Sequence, residues 1–250
     1  MERPLALNPK QPAIGILVTD AIITRPPGDV GNPATYPFPV LYQRVPSASL
    51  ERIIEKEDPE LLPPILEAAR ELVKRGAAAI TSTCGFMILY QPELAQKLPV
   101  PVFLSSLLQL SFLRRILNPD DQIGIITANT GHLTPRHLRL AGLDDPETVR
   151  IIGLENRPAF QEAIFSGSGA LDSTAIEKEV TGAARDLIRE HPGVKAVLLE
   201  CSNLPPYASA VQKEVHLPVF DFNTMIHQVY RAIQQPTYSG PHLPPSTSSK

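Results

Sequence analysis

A repeated unit is the feature that most constrains what this chain can fold into. Residues 13–19, AIGILVT, return as residues 122–128, QIGIITA, an offset of 109 that sets Gly15 on Gly124. AARELV (Ala68 to Val73) returns as AARDLI (Ala183 to Ile188) at an offset of 115, and AAITSTC returns as VLLEC with Cys84 on Cys201 at 117. Holding that last offset places Tyr90 on Tyr207, Pro101 on Pro218, Val102 on Val219, Phe103 on Phe220, Arg114 on Arg231 and Ile116 on Ile233. The rising offset puts about eight extra residues in the second copy, mostly in the 160–172 loop. A gapless run of matches centred on both cysteines marks a duplication rather than chance likeness between helices.

Each copy alternates short apolar runs with longer amphipathic ones. Runs such as Ala78–Ile80 and Val194–Leu199 are partly β-branched and bounded by Gly or Pro, the pattern of strands buried on both faces of a parallel sheet. The helix Pro63–Lys74 carries prolines in its first turn and stops at Gly76. Alternating strands and helices predict an α/β fold of two pseudo-symmetric Rossmann-like (flavodoxin-like) halves with parallel sheets and the active site in the cleft between them. The first half is expected to take residues 1–104 plus a returning helix at 222–235, and the second residues 105–221. The Pro/Ser-rich tail, 236–250, reads as disordered.

Bulk properties exclude several functions. With a net charge of -3 and a pI near 6.1, the chain lacks the excess of Lys and Arg that phosphate binding needs, so nucleic acid is not an expected partner. Met1 is followed by Glu2, Arg3 and Pro4, and no stretch approaches the roughly 18 apolar residues of a membrane span. The chain therefore reads as cytoplasmic, with no membrane partner. The six histidines show no metal-ligand spacing, since His132 and His137 do not share a helix face. Neither a metal nor another cofactor is expected.

Chemistry concentrates at the two cysteines. Both follow a predicted strand at the carboxyl edge of a parallel sheet, where ligand sites of open α/β sheets form. Two thiols in a reducing compartment are seldom a structural disulfide. A position before a helix N-terminus is expected to lower a thiol's pKa and to supply N–H donors for a carboxylate. Across a pseudo-twofold axis, one thiol can take a proton from one face of a carbon while the other returns a proton to the opposite face. SGSG at 166–169 lacks the fingerprint of a phosphate loop and reads as a glycine hinge.

The sequences TSTCGF and LLECSNLPPY, set in a duplicated α/β plan, resemble the aspartate/glutamate racemase superfamily. In that family a Cys-Asn-Thr type motif follows one strand and a Cys-Thr-His-Tyr-Pro type motif follows the other. The resemblance covers the chain to about residue 235. It implies a cofactor-independent amino-acid racemase or epimerase in which Cys84 and Cys201 act as acid and base at the α-carbon of a small carboxylate. Alternatives within the superfamily are chemistries like those of maleate isomerase, hydantoin racemase or arylmalonate decarboxylase. Outside enzymes, the alternative is a non-catalytic carboxylate-binding protein. A homodimer is the family's habit.

This chain departs from the motifs by carrying Gly85-Phe86 after the first cysteine and Ser202-Asn203 after the second. Candidate substrate contacts are Ser82, Thr83 and Gly85 around Cys84, and Ser202 and Asn203 after Cys201. Asn129 and Thr130 follow a strand, and Asp20 stands at the point that the repeat sets on Asn129. Where the family has its first helix, RPPGDVGNPATYPF (Arg25–Phe38) forms a loop in which Asn32 and Arg25 are further candidates. For Asn129 and Thr130 the competing role is capping near Thr134–Pro135.

Overall fold

The computed structural model describes residues 11–240. In chain order the strands and α-helices are β1 (Ala13–Val18), β2 (Val40–Arg44), α1 (Leu62–Lys74), β3 (Ala77–Ser82), α2 (Gln91–Lys97), α3 (Leu110–Ile116), β4 (Gln122–Thr127), α4 (Pro135–Leu140), β5 (Val149–Gly153), α5 (Pro158–Phe165), α6 (Ser173–Glu190), β6 (Val194–Leu199), α7 (Ala208–Val215), β7 (Val219–Phe220) and α8 (Phe222–Ile233). The strands form two parallel sheets, ordered β2-β1-β3 and β5-β4-β6-β7. The α/β class and the two Rossmann-like halves stand as expected. Of the tail expected at 236–250, residues 236–240 form no regular element and the rest lies outside the described residues, as do residues 1–10.

The duplication holds down to single contacts. Ile80 bridges Val102 in one sheet, and Val197 pairs with Val219 in the other. Gly15 lies flat under α1: a Cβ there would come within 2.6 Å of Ile80 and 2.9 Å of Ala77, with Leu72 next. Gly124 lies under α6 in the same way, 2.6 Å from Leu187 and 3.1 Å from Val194. Leu187 and Val194 are the repeat partners of Leu72 and Ala77, so each glycine permits the same close approach of helix to sheet.

The two copies exchange their last helices. On one face of the first sheet, Ile14, Ile16 and Ala79 pack with Phe222, Met225, Ile226 and Tyr230 of α8. On the equivalent face of the second sheet, Ile123, Ile125 and Ala196 join the core that contains Leu107, Leu110 and Leu113 of α3 and the turn before it. Both helices are rooted at the centre: Gln109 donates to the Asp221 carbonyl (2.8 Å), and the Thr224 hydroxyl donates to Gln109 Oε1 (3.1 Å). Asp221 caps α8 through a reciprocal pair with Thr224. Each sheet is thus buried by a helix that belongs in sequence to the other copy.

Candidate active site

The carboxyl ends of β3 and β6 meet where the halves join. Cys84 leaves β3 in an extended conformation and opens a 3-10 helix, Gly85–Tyr90. Cys201 follows β6 at the equivalent point, ahead of the 3-10 turn Pro205–Tyr207. Both are buried free thiols. They line one cavity with Thr83, Gly85, Phe86, Ala128, Glu200, Ser202 and Asn203. Two crossovers cover it: Leu50 and Ile54 from the β2–α1 connection, and Ile164 and Phe165 from α5 in the β5–α6 connection. Its volume is about 20 Å³, close to one water and far below the roughly 300 Å³ of a small-molecule site.

Glu200 is the charged group of this cavity that sequence reasoning passed over. Its carboxylate is fully buried. Oε2 accepts from the Thr127 hydroxyl (2.9 Å), and the Ala128 N–H also favours the ionised form. Oε1 has no hydrogen-bond partner. A Cβ at position 85 would overlap Oε1, so a glycine there makes room for the carboxylate. The signal was present in the repeat. Glu200 falls on Thr83, whose hydroxyl accepts the Thr19 N–H (3.2 Å) just after β1. Glu200 is also the one carboxylate in the otherwise apolar run that leads to Cys201, VLLEC.

The electrostatics reverse the expectation of thiols made acidic by a helix N-terminus. The N–H groups of Phe86 and Met87 do favour a thiolate at Cys84, but burial outweighs them and the Glu200 charge adds to it, pushing Cys84 up to about 12. Burial and Glu200 raise Cys201 well above the ordinary thiol value, against one favourable backbone contact at Asn203. Burial lifts Glu200 itself to about 7. Desolvation prevails because no Lys or Arg lines the cavity.

The loop between β1 and β2 reaches across to the second half. Asp29, also missed from sequence, is buried and accepts from Arg25 Nη1 (2.8 Å), the Gly31 N–H (2.7 Å) and Asn203 Nδ2 (2.7 Å). Asn203 Oδ1 in turn lies 3.6 Å from the Cys201 sulfur. The hint available was the i, i+4 spacing of Arg25 and Asp29. Arg25 Nη2 is buried without a partner, and its charge favours a thiolate at Cys84.

The other sequence candidates divide. Thr83, Gly85, Ser202 and Asn203 line the cavity, and the Ser202 hydroxyl donates to the Thr83 carbonyl (2.6 Å) across the halves. The Ser82 hydroxyl is spent on the carbonyls of Leu104 (2.6 Å) and Cys84 (3.0 Å). The rest are not brought to the cavity. Asp20 pairs with Arg44 and the Ser47 N–H. Asn32 caps the turn Pro33–Thr35 and donates to the Arg25 carbonyl. Asn129 accepts the Gly131 N–H, and the Thr130 hydroxyl donates to Glu155. Local turns and ion pairs absorb these side chains because each has a partner within reach in its own half. Among the described residues, no group of three or more His, Cys, Asp or Glu side chains is placed to hold a metal ion. No described helix is long and apolar enough to cross a membrane.

Fold and site together define a duplicated α/β protein with paired cysteines at the carboxyl edges of two parallel sheets. The chain belongs to the Asp/Glu/Hydantoin racemase family, whose model matches residues 48–228. It is similar to a dimethylsulfoniopropionate lyase from Durusdinium sp. clade D, 34% identical over 220 residues that cover 86% of this chain and 72% of the relative. Dimethylsulfoniopropionate lyase 3 from Emiliania huxleyi is 31% identical over 231 residues, 89% of this chain, which spans only 60% of that relative's length. The fold is also that of allantoin racemase from Klebsiella pneumoniae, with a TM-score of 0.63 at 12% identity, covering 89% of this chain and 87% of the other. Enzymes of differing reaction type therefore share this architecture.

Proposed function

We propose that this chain is a cofactor-independent lyase that removes the α-proton of a small carboxylate and expels a leaving group from the β-carbon, with dimethylsulfoniopropionate as the substrate to test first. The observation that carries the reading is the closed cavity in which Cys84, Cys201 and Glu200 meet. The likeness to relatives named as lyases favours elimination over racemisation. A base at the α-carbon is common to both reactions. Elimination needs no proton returned to the opposite face: the electron pair of the broken C–H bond becomes the double bond, and the C–S electron pair leaves with sulfur. From dimethylsulfoniopropionate the products are acrylate and dimethyl sulfide, with the proton left on the base and passed to solvent.

Within this reading Cys84 is the better base. It faces the Phe86 and Met87 N–H groups and feels the Arg25 charge, whereas the Cys201 thiol is turned to Asn203 Oδ1. Cys201 then serves as a neutral donor toward the charge that develops on the substrate carboxylate as the α-proton departs. Arg25 lies outside the cavity lining and acts on Cys84 through its charge alone.

The racemase reading keeps one observation in its favour, a thiol from each half at one cavity. Both are tested by supplying dimethylsulfoniopropionate and measuring dimethyl sulfide by gas chromatography, alongside NMR of α-proton exchange in deuterated water over an amino-acid and hydantoin panel. The lyase reading expects dimethyl sulfide from the wild type and a loss of about 10²-fold or more in each of Cys84→Ser and Cys201→Ser. Exchange on an amino acid with no dimethyl sulfide transfers the assignment to a racemase. A fully active double variant removes the cysteines from the chemistry.

A further inference from the structure

Glu200 is left without a task by the proton transfer just described, yet its placement is costly. A fully buried carboxylate with an unpartnered oxygen is a strongly unfavourable arrangement unless something pairs with it. The chain makes space for it with Gly85, and Thr127 holds the other oxygen in place. Around the cavity stand Phe86 and Phe165, whose ring faces attract cations, and the apolar side chains of Leu50, Ile54 and Ile164. Lysine and arginine are both absent from this lining. A pocket with one carboxylate, aromatic rings and aliphatic walls suits a methylated onium ion, which carries charge but offers no N–H to hydrogen-bond.

We propose that Glu200 is the specificity-determining residue of the cavity, its free Oε1 pairing with the onium group of a carboxylate substrate that carries positive charge on the β-substituent. The proposal rests on the lyase reading and names its substrate class. Pairing also couples recognition to reactivity. Ionised Glu200 opposes thiolate formation at Cys84 and Cys201, and a bound onium ion cancels that charge. Pairing thereby removes the Glu200 share of the opposition to thiolate formation, while burial, the larger cause, remains. The charged and titratable groups around Glu200 are Cys84 and Cys201, with Arg25 acting on Cys84 and Asp29 on Cys201.

The test is calorimetric binding to the full chain of two unreactive probes of the same shape. One is trimethylammoniopropionate; the other is the propionate carrying a tert-butyl group in place of trimethylammonium. Wild type is expected to bind the onium probe at least about tenfold more tightly than its uncharged-headgroup isostere. In Glu200→Gln, which preserves shape, the two probes should bind equally, with the isostere held as in wild type. Glu200→Asp, which keeps the charge, should retain a preference for the onium probe. Equal binding of both probes by the wild type, binding of neither, or a preference that survives Glu200→Gln would overturn the proposal. An onium preference lost in Glu200→Gln, with no dimethyl sulfide released by the wild type, upholds Glu200 as the onium partner and rejects elimination alone.

Discussion

At the scale of single residues, the Glu200–Gly85 pair carries the sharpest consequences. An alanine at position 85 would place its methyl on Glu200 Oε1 and force the carboxylate to move within a closed site. Gly85→Ala should cost about 2 kcal/mol of stability, measured by urea denaturation, and should remove most of the activity. Glu200→Gln, with no change of volume, should lose specificity but little stability. The two groups also predict a pH signature. Burial raises Glu200 from 4.5 to about 7, so the folded protein binds this proton more tightly than the unfolded chain. Stability should therefore fall as pH rises between 4.5 and 7 and level off above, with a total of about 3 kcal/mol from this group. Chemical denaturation across that range should show the fall in wild type, and Glu200→Gln should flatten it. Parallel wild-type and Glu200→Gln profiles through the same window would show that the group is not buried as described.

At the scale of elements, equivalent crossovers from the two copies close over the cysteines. The β2–α1 connection runs between Ser47 (φ 63°) and Glu57 (φ 44°), both in the left-handed region, and α5 is followed by Gly167 and Gly169, each at φ 71°. The SGSG segment, expected as a hinge, does contain two left-handed glycines. Thr24 donates to the Gly169 carbonyl (2.6 Å), tying this loop to the segment after β1. Because about 20 Å³ admits no substrate, one of these covers must swing aside for entry and return to exclude water. Phe165 is 37% exposed and contributes little to the core. Phe165→Ala should shift the melting temperature only slightly while lowering kcat/KM by about tenfold, because the closed site would admit water. Unchanged kinetics would place the cover elsewhere.

At the scale of the whole molecule, the exchanged helices make the halves interdependent. α3 closes the second sheet and α8 closes the first, so cutting between the copies would expose an apolar sheet face on each. Within that interlocked body the two glycines under α1 and α6 meet matching neighbours. Gly15→Ala and Gly124→Ala should each cost about 1–3 kcal/mol, and the two values should agree to within about 1 kcal/mol, as measured by denaturant titration. A large cost at one and none at the other would show that the copies have drifted apart in packing.

The repeat, the parallel sheets and the cysteine pair were legible in the amino-acid order. Period and offset are properties of a one-dimensional string, and strands buried on both faces announce themselves as apolar runs. Thr83, Gly85, Ser202 and Asn203 were legible for the same reason, being adjacent in sequence to the cysteines. Asp20, Asn32, Asn129 and Thr130 looked equally suitable, but nearby donors and acceptors claimed them, a competition that only three dimensions display. Asp29 and Glu200 lie 171 positions apart, and their roles depend on partners brought by the other half. The sequence by itself determined which units would form and where their chemistry-bearing edges lie. The tertiary structure alone decided that those edges meet in a small buried cavity. There, desolvation raises both thiols and a carboxylate, reversing the acidity that local helix geometry implied.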